Sequence, residues 1–251
     1  MKKALVFIII VVIIGALAFV GYKTLHNEPL INPPDGNHSD EVIQEPTDAA
    51  SRVRVEAVPV RIKTDNIDIN NVYPNITSFT NKEFENSINK QIANSIAEYR
   101  NEISAMVDDQ TPEVKLYKYV TTYTKNTWGN YLTLVVEQDY QTGGIRSNSW
   151  KDIYNIDVAR ERIIYLSDLF EATTDYQTAI ITEITRQAAV KNYKLMGGDG
   201  ITKLPSTQKF YIQDGKLIIY FDPAEVAATA YGALEFEMPF VLNSNGYFEV
   251  R

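Results

Sequence analysis

The chain of 251 residues has no cysteine and two histidines, His26 and His38. Without cysteine there is no disulfide framework, no thiolate metal site, no thiol nucleophile and no lipid-anchored N-terminal cysteine. Both histidines precede residue 52, so the remaining 200-odd residues hold none. That excludes Ser-His-Asp triads, HExxH zinc sites and other His-rich zinc sites from this part. Basic residues are also short, 24 against 32 acidic ones, for a net charge of −8. This balance removes the electrostatic attraction that drives nucleic-acid binding, and nucleic acid is not an expected partner. What remains abundant is apolar and aromatic: 45% hydrophobic residues, with 16 tyrosines and 2 tryptophans. That is enough to build a packed core.

Lys2 and Lys3 precede a run without charge from Ala4 to Tyr22, rich in isoleucine and valine. As a helix rising about 1.5 Å per residue it spans roughly 28 Å, the hydrocarbon thickness of a bilayer. Residues 1–22 are therefore expected to form a transmembrane signal-anchor, its lysines inside and everything after Lys23 outside the cytoplasm. A cleaved signal peptide is the rival, since Ala16-Leu17-Ala18 resembles a processing site. Residues 23–51 read as a linker: from Thr24 on they carry four prolines and six acids with no Lys or Arg. Such a segment repels itself and stays extended. The globular part, residues 52–251, keeps a net charge of −5.

Within it, Arg52 to Lys63 alternates Val53, Val55 and Ala57, then shifts phase to Val58, Val60 and Ile62. This predicts a strand with a bulge at Ala57-Val58, placed at a sheet edge by Pro59. Phe84, Ile88, Ile92, Ile96, Tyr99, Ile103 and Met106 lie at steps of three and four and predict a helix over 81–106, with Thr80 and Glu83 as capping box. Strand-like runs follow at 114–124, 131–140 and 149–157, separated by short turn segments including Gly143-Gly144. A second helix is expected over 175–193, with Ile180, Ile181, Ile184, Ala188 and Ala189 toward the core. Asp214-Gly215 between Phe210–Gln213 and Lys216–Phe221 is a strong hairpin signal. A last strand pair is read from the alternation of Leu234, Phe236 and Met238 with Glu235 and Glu237, and from Asn245-Gly246 before Tyr247 to Val250. The class is α+β, a mostly antiparallel sheet with two amphipathic helices packed on it.

The candidate catalysts left are carboxylates. Glu235 with Glu237, or Asp222 with Glu225, could be imagined as a glycosidase acid and base. The simpler account is a solvated strand face and an Asp-Pro turn. Asp108, Asp109 and the Gly197–Gly200 loop lack the order of an EF-hand loop, and no metal or other cofactor is expected. Tyr117, Tyr119 and Tyr123 fall on one face of a strand, either stacking on a ligand at the surface or packing beneath a helix.

The stretch from Phe210 through Pro223, with Glu225-Val226-Ala227, Gly232, Glu235-Phe236 and Pro239, resembles the extracytoplasmic C-terminal domain of RsiV-type anti-sigma factors. Tyr73-Pro74 with Ile76, Asn89, Gly143-Gly144, Tyr154-Asn155-Ile156-Asp157 and Leu166 to Phe170 are similar to the module that accompanies it in PdaC-type peptidoglycan deacetylases. The resemblance divides the globular part into subdomains at 52–170 and 171–251. Only the extracytoplasmic pair is implied: three residues precede the apolar run, where sigma binding would need a segment, and no deacetylase domain is present. Where members of the group carry a tyrosine after Asp-Pro, a Pro-Tyr pair and a histidine after the double glycine, this chain has Ala224, Ala228-Thr229 and Ile145-Arg146. The expected function is a non-catalytic module at the bacterial envelope that binds peptidoglycan or a wall-acting protein such as lysozyme. The alternatives are a carboxylate-dependent envelope hydrolase and a scaffold with protein partners only. A binding surface is sought at Trp128, Tyr131, Arg146, Trp150 and Tyr231.

Overall fold

The computed structural model describes residues 49–108, 116–142, 147–197, 200–243 and 246–250. The N-terminal span, most of the linker, Gly143-Gly144, Arg146, Asp109, Gly198-Asp199 and Asn245 lie outside them. Among the described residues, no helix is long and apolar enough to cross a membrane. The described residues belong to one compact unit.

The fold is α+β, as the periodicities imply, with two principal sheets. The larger has six strands in chain order: β1 (Val55–Lys63), β2 (Ile67–Ile76), β3 (Tyr117–Trp128), β4 (Tyr131–Thr142), β5 (Ser147–Asp157) and the short β6 (Arg162–Ile163). All neighbours are antiparallel except β2 and β3. That parallel pair needs a crossover, supplied by helix α1 (Lys82–Asp108). The smaller sheet is the meander β7 (Phe210–Gln213), β8 (Lys216–Phe221) and β9 (Leu234–Glu237). Helix α2 (Tyr176–Val190) precedes it, and a two-stranded ribbon, β10 (Val241–Leu242) with β11 (Phe248–Glu249), closes the chain.

Each helix has its own sheet. Ile88, Ile92, Ile96 and Ile103 of α1 share a core with Ile69, Tyr117, Tyr119, Leu132, Leu134, Val136 and Ile156. Ile180, Ile184 and Ala188 of α2 join Phe210, Ile212, Leu217, Ile219, Leu234 and Phe236. A third, smaller cluster of Val135, Tyr211, Ile218 and Tyr220 packs the meander onto the large-sheet face opposite α1. Polar bonds pin this junction. The buried Asn155 side chain donates from Nδ2 to the Phe210 carbonyl at 2.7 Å and accepts from Thr133 Oγ1 at 2.7 Å.

Several local expectations are corrected. No bulge interrupts β1, which pairs with β2 without a break from Val55↔Ile76 to Lys63↔Asp68. The phase shift costs nothing because this edge strand is largely exposed on both faces. Helix α1 begins one residue later than expected. Asn81 Oδ1 accepts from Phe84 N at 3.0 Å, and the Glu161 carboxylate accepts from the N–H groups of Thr80 and Asn81, so the Thr80/Glu83 box is not the cap. Ala189 faces solvent rather than the core. Strand β2 carries no clear alternation and was not expected. The tyrosine row of β3 turns inward: Tyr117 and Tyr119 are buried beneath α1, while Tyr123 is partly buried against the same core.

Candidate functional site: a polar cleft between the two sheets

On the large-sheet face opposite α1, the antiparallel registers place polar side chains in rows. Thr122, Glu137 and Lys151 form one cross-strand row, and Val120, Asp139 and Ser149 the next. The row arises from simple alternation: even positions of β3 and odd positions of β4 and β5 point away from the helix. The meander covers only part of this face, and where it stops a cleft of 280 Å³ opens. Val120, Thr122, Glu137, Asp139, Ser149, Trp150, Lys151 and, from the meander side, Tyr220 and Ala233 are among the residues that line it.

Its charges are interlocked. Lys151 Nζ stands 2.6 Å from Glu235 Oε1 and 3.3 Å from Glu137 Oε1, above the rings of Tyr211 and Tyr220. Ser149 Oγ donates to Asp139 Oδ2 at 2.7 Å. Lys209 Nζ reaches Asp222 Oδ2 at 2.6 Å and the Lys151 carbonyl at 2.9 Å, satisfying an outward-facing backbone acceptor on the open edge of β5. Tyr220 is 1% exposed, and its hydroxyl is buried beside the Asp222 carboxylate and the Lys151 backbone. Burial, helped by the nearby Asp222 charge, pushes its ionisation above the ordinary phenol range. The group is therefore a protonated donor.

Behind the cleft, on the α1 side, lies a second polar set. The Tyr119 hydroxyl donates to Gln138 Oε1, and Gln138 Nε2 donates to Asp152 Oδ2. Burial raises the ionisation of Asp152, opposed by the positive charge of Lys209 and by the Ser95 hydrogen bond. Tyr99 packs on Trp150 at 4.5 Å between centroids, and burial, followed by the Asp152 and Glu102 charges, pushes its hydroxyl up to about 12.

The residues expected at a binding surface are dispersed. Trp150 borders the cleft by its place on β5, but its ring lies on the opposite, α1 face of the sheet, against Tyr99. Trp128 and Tyr131 are cross-strand partners at the β3–β4 turn. Trp128 covers Gly215, and the Tyr131 hydroxyl donates to the Gly246 carbonyl at 2.9 Å. Tyr231 stacks edge-on with Tyr193 at 5.3 Å. Arg146 lies outside the described residues. The imagined catalytic carboxylates are all engaged: Glu235 with Lys151, Glu237 with Lys216, Asp222 with Lys209, and Glu225 Oε2 accepting from the Asp222 N–H. Among the described residues, no group of three or more His, Asp or Glu is arranged to hold a metal ion. Thr122, Glu137, Asp139, Ser149, Lys151 and Tyr220 were not singled out in the sequence. Their only signal there is the alternation of polar and apolar positions along β3, β4 and β5.

The fold and cleft define a two-sheet α+β module with a polar groove on the sheet face opposite its first helix. Residues 167–241 match the family described as protein of unknown function DUF3298. No curated protein matches the chain. Among solved structures, a DUF3298 family member from Bacteroides fragilis shares 16% identity, with 78% of this chain and 92% of that one covered and a TM-score of 0.52. A DUF3298 family protein from Pseudomonas aeruginosa shares 9% identity over 80% of this chain and 96% of that one, with a TM-score of 0.55. At these identities it is the fold that is shared.

Proposed function

We propose that the chain is a membrane-anchored, extracytoplasmic, non-catalytic binding module of the bacterial cell envelope, whose ligand is the glycan of the wall. The observation that carries this reading is the cleft lining: carboxylates, hydroxyls and one ammonium, projected mainly from three adjacent strands, with no histidine or cysteine anywhere after residue 51. Sites on paired strands hold their side chains at fixed spacing, as recognition of a polar ligand requires. The apolar N-terminal run and the acidic tether supply the address, an anchor and a spacer outside the cytoplasm.

A hydrolase using Asp or Glu is disfavoured by the ion pairs that occupy Glu235 and Asp222. Each of these carboxylates is already bound to a lysine ammonium at 2.6 Å and is not free to meet a glycosidic oxygen. The test is co-sedimentation of the full-length chain in detergent micelles with purified peptidoglycan sacculi, the supernatant being examined for released muropeptides. Saturable retention without release supports the reading. Release of muropeptides overturns its non-catalytic part, and failure to sediment overturns the glycan assignment. Binding of lysozyme by a chain that ignores sacculi would replace the glycan with a protein ligand.

A further inference from the structure

The described chain begins at one end of the module, and that end exposes aromatic and basic side chains. We propose that this end, through Trp128, Tyr131 and Tyr247 with Arg52, Arg160 and Arg162, docks on the phospholipid headgroups of the bilayer that holds the chain's own anchor. The proposal rests on the envelope reading above and adds a second surface with its partner.

Geometry comes first. Ala50 N donates to the Gly129 carbonyl at 3.1 Å, so the chain enters the module at the β3–β4 turn. Three more turns meet there. Val158 N, from the β5–β6 turn, donates to the Asn130 carbonyl at 2.9 Å; Trp128 covers Gly215 of the β7–β8 turn; and the Tyr131 hydroxyl donates to Gly246 of the terminal ribbon. None of the six residues lines the cleft.

This end is more apolar than a set of turn tips needs to be. Trp128 is 40% exposed and Tyr247 37%. One exposed ring is ordinary, but two beside the half-buried Tyr131 make a patch, and a patch marks a contact surface. Burial first, then Asp157 and Tyr247, raise the ionisation of Tyr131, while Arg160 and Arg162 oppose the rise, which sets both guanidiniums and both phenols around one point. Arg160 pairs with Asp157 at 2.9 Å and Arg162 with Asp168 at 3.2 Å, yet their side chains stay 73% and 46% exposed. Each fork keeps N–H donors beyond its ion pair. Of the other carboxylates at this end, Glu161 accepts from the N–H groups of Thr80 and Asn81, and Asp214 stands exposed on its turn.

Indole and phenol rings favour the headgroup level of a bilayer, where the apolar body and the polar edge are both satisfied, and a guanidinium matches phosphate. The tether names the occupant. Residues 23–48 reach at most about 90 Å when fully extended, so the end that receives them stays within that distance of the bilayer. Such confinement raises the effective concentration of lipid at this surface, and a contact too weak to hold a free protein becomes populated.

The test uses the tryptophans, of which the chain has two and none before Trp128. Trp150 pairs with Gln138, about 24 Å along β5 from the Asp157–Tyr131 pair. The full-length chain is reconstituted in nanodiscs of phosphatidylcholine and phosphatidylglycerol, with and without bromine on the upper acyl carbons, which quenches an indole that touches it. An alkaline carbonate wash of the same chain in vesicles reads the anchor separately. The expected result is retention through the wash, with brominated lipid removing about half of the tryptophan emission, the share of one indole in two. That loss is expected to vanish in Trp128→Phe and to shrink about twofold in Tyr247→Asp, which keeps both indoles. Unchanged melting profiles establish that both variants fold. Quenching that is absent, equal in wild type and Trp128→Phe, or indifferent to Tyr247→Asp overturns the docking, while retention through the wash leaves the envelope reading standing. Release by the wash overturns the anchor and the docking with it.

Discussion

The indole of Trp128 lies so close over Gly215 that a Cβ at this glycine would stand 2.7 Å from Cη2 of the ring. Trp128 ends β3 at the tip of the long hairpin, and Gly215 is the turn of the β7–β8 hairpin, so one contact locks the two sheets at their shared end. Gly215 also has φ +75° and its neighbour Asp214 φ +51°, the pair of positive values that a type I′ turn demands.

Gly215→Ala therefore meets two penalties, a strained backbone and a collision. The expected loss of stability is about 1–3 kcal/mol in urea unfolding. In a Trp128→Ala background the collision is gone, and the same change is expected to cost only the backbone share. Equal costs in both backgrounds would show that the indole does not press on the turn.

Asn155 couples the sheets from within. Replacing it with leucine leaves the Phe210 carbonyl and the Thr133 hydroxyl buried without their present partners, a loss of about 3 kcal/mol. Thr133→Val in that background is expected to cost less than it does alone, because one stranded hydroxyl disappears. Additive effects of the two changes in denaturant unfolding would contradict the coupling.

Alkaline pH is expected to unfold the protein through its buried tyrosines. Tyr99 ionises near 12 in the folded chain, held there first by burial and then by Asp152 and Glu102, against about 10 when unfolded. The folded state thus binds the proton more tightly, and its stability, fully present below about pH 10, falls as pH rises toward 12. Melting temperature measured from about pH 9 upward should decline, with a shallower decline in Tyr99→Phe. A flat profile would contradict the burial.

Asp152 carries the opposite lesson for neutral pH. Burial raises its ionisation, so its charge costs stability above the folded value and the cost is relieved on acidification. Asp152→Asn keeps an acceptor for Gln138 and is expected to melt higher than wild type at pH 7, with the difference shrinking toward about pH 4. A variant less stable at pH 7 would show that the charge itself is needed there.

Patterns within one element were legible in the sequence, and relations between elements were not. The β7–β8 hairpin appears where Asp214-Gly215 placed it, because that pair encodes its turn locally. The α1 stripe likewise follows from spacing alone. Strand β2 escaped notice because Asn70, Asn71, Pro74 and Asn75 break its alternation; Pro74 is tolerated because β3 pairs only with residues 67–71 of β2, leaving that side of Pro74 free of a ladder. The cap of α1 was misread because half of it comes from Glu161, some eighty residues downstream. For the tyrosine row, only the position of the helix decides between core and surface.

The cleft was the least legible feature. Glu137, Asp139, Ser149 and Lys151 are ordinary polar positions on the outward face of strands, and only the register between β4 and β5 makes them a cluster. Tyr220 looks like one more core aromatic until the register of the meander sets it in the cleft wall beside Asp222. The aromatic residues favoured from the sequence serve mostly to join parts of the fold, as Trp128 does on Gly215 and Tyr131 on the Gly246 carbonyl.

The most direct test of the cleft as the ligand site is amide hydrogen exchange on the full-length chain, with and without solubilised peptidoglycan strands. New protection is predicted at Val120–Thr122, Glu137–Asp139 and Ser149–Lys151, with the β1 edge and the outer face of α2 unchanged. Protection confined to those outer surfaces, or exchange that saturating glycan leaves unaltered everywhere, would contradict the account.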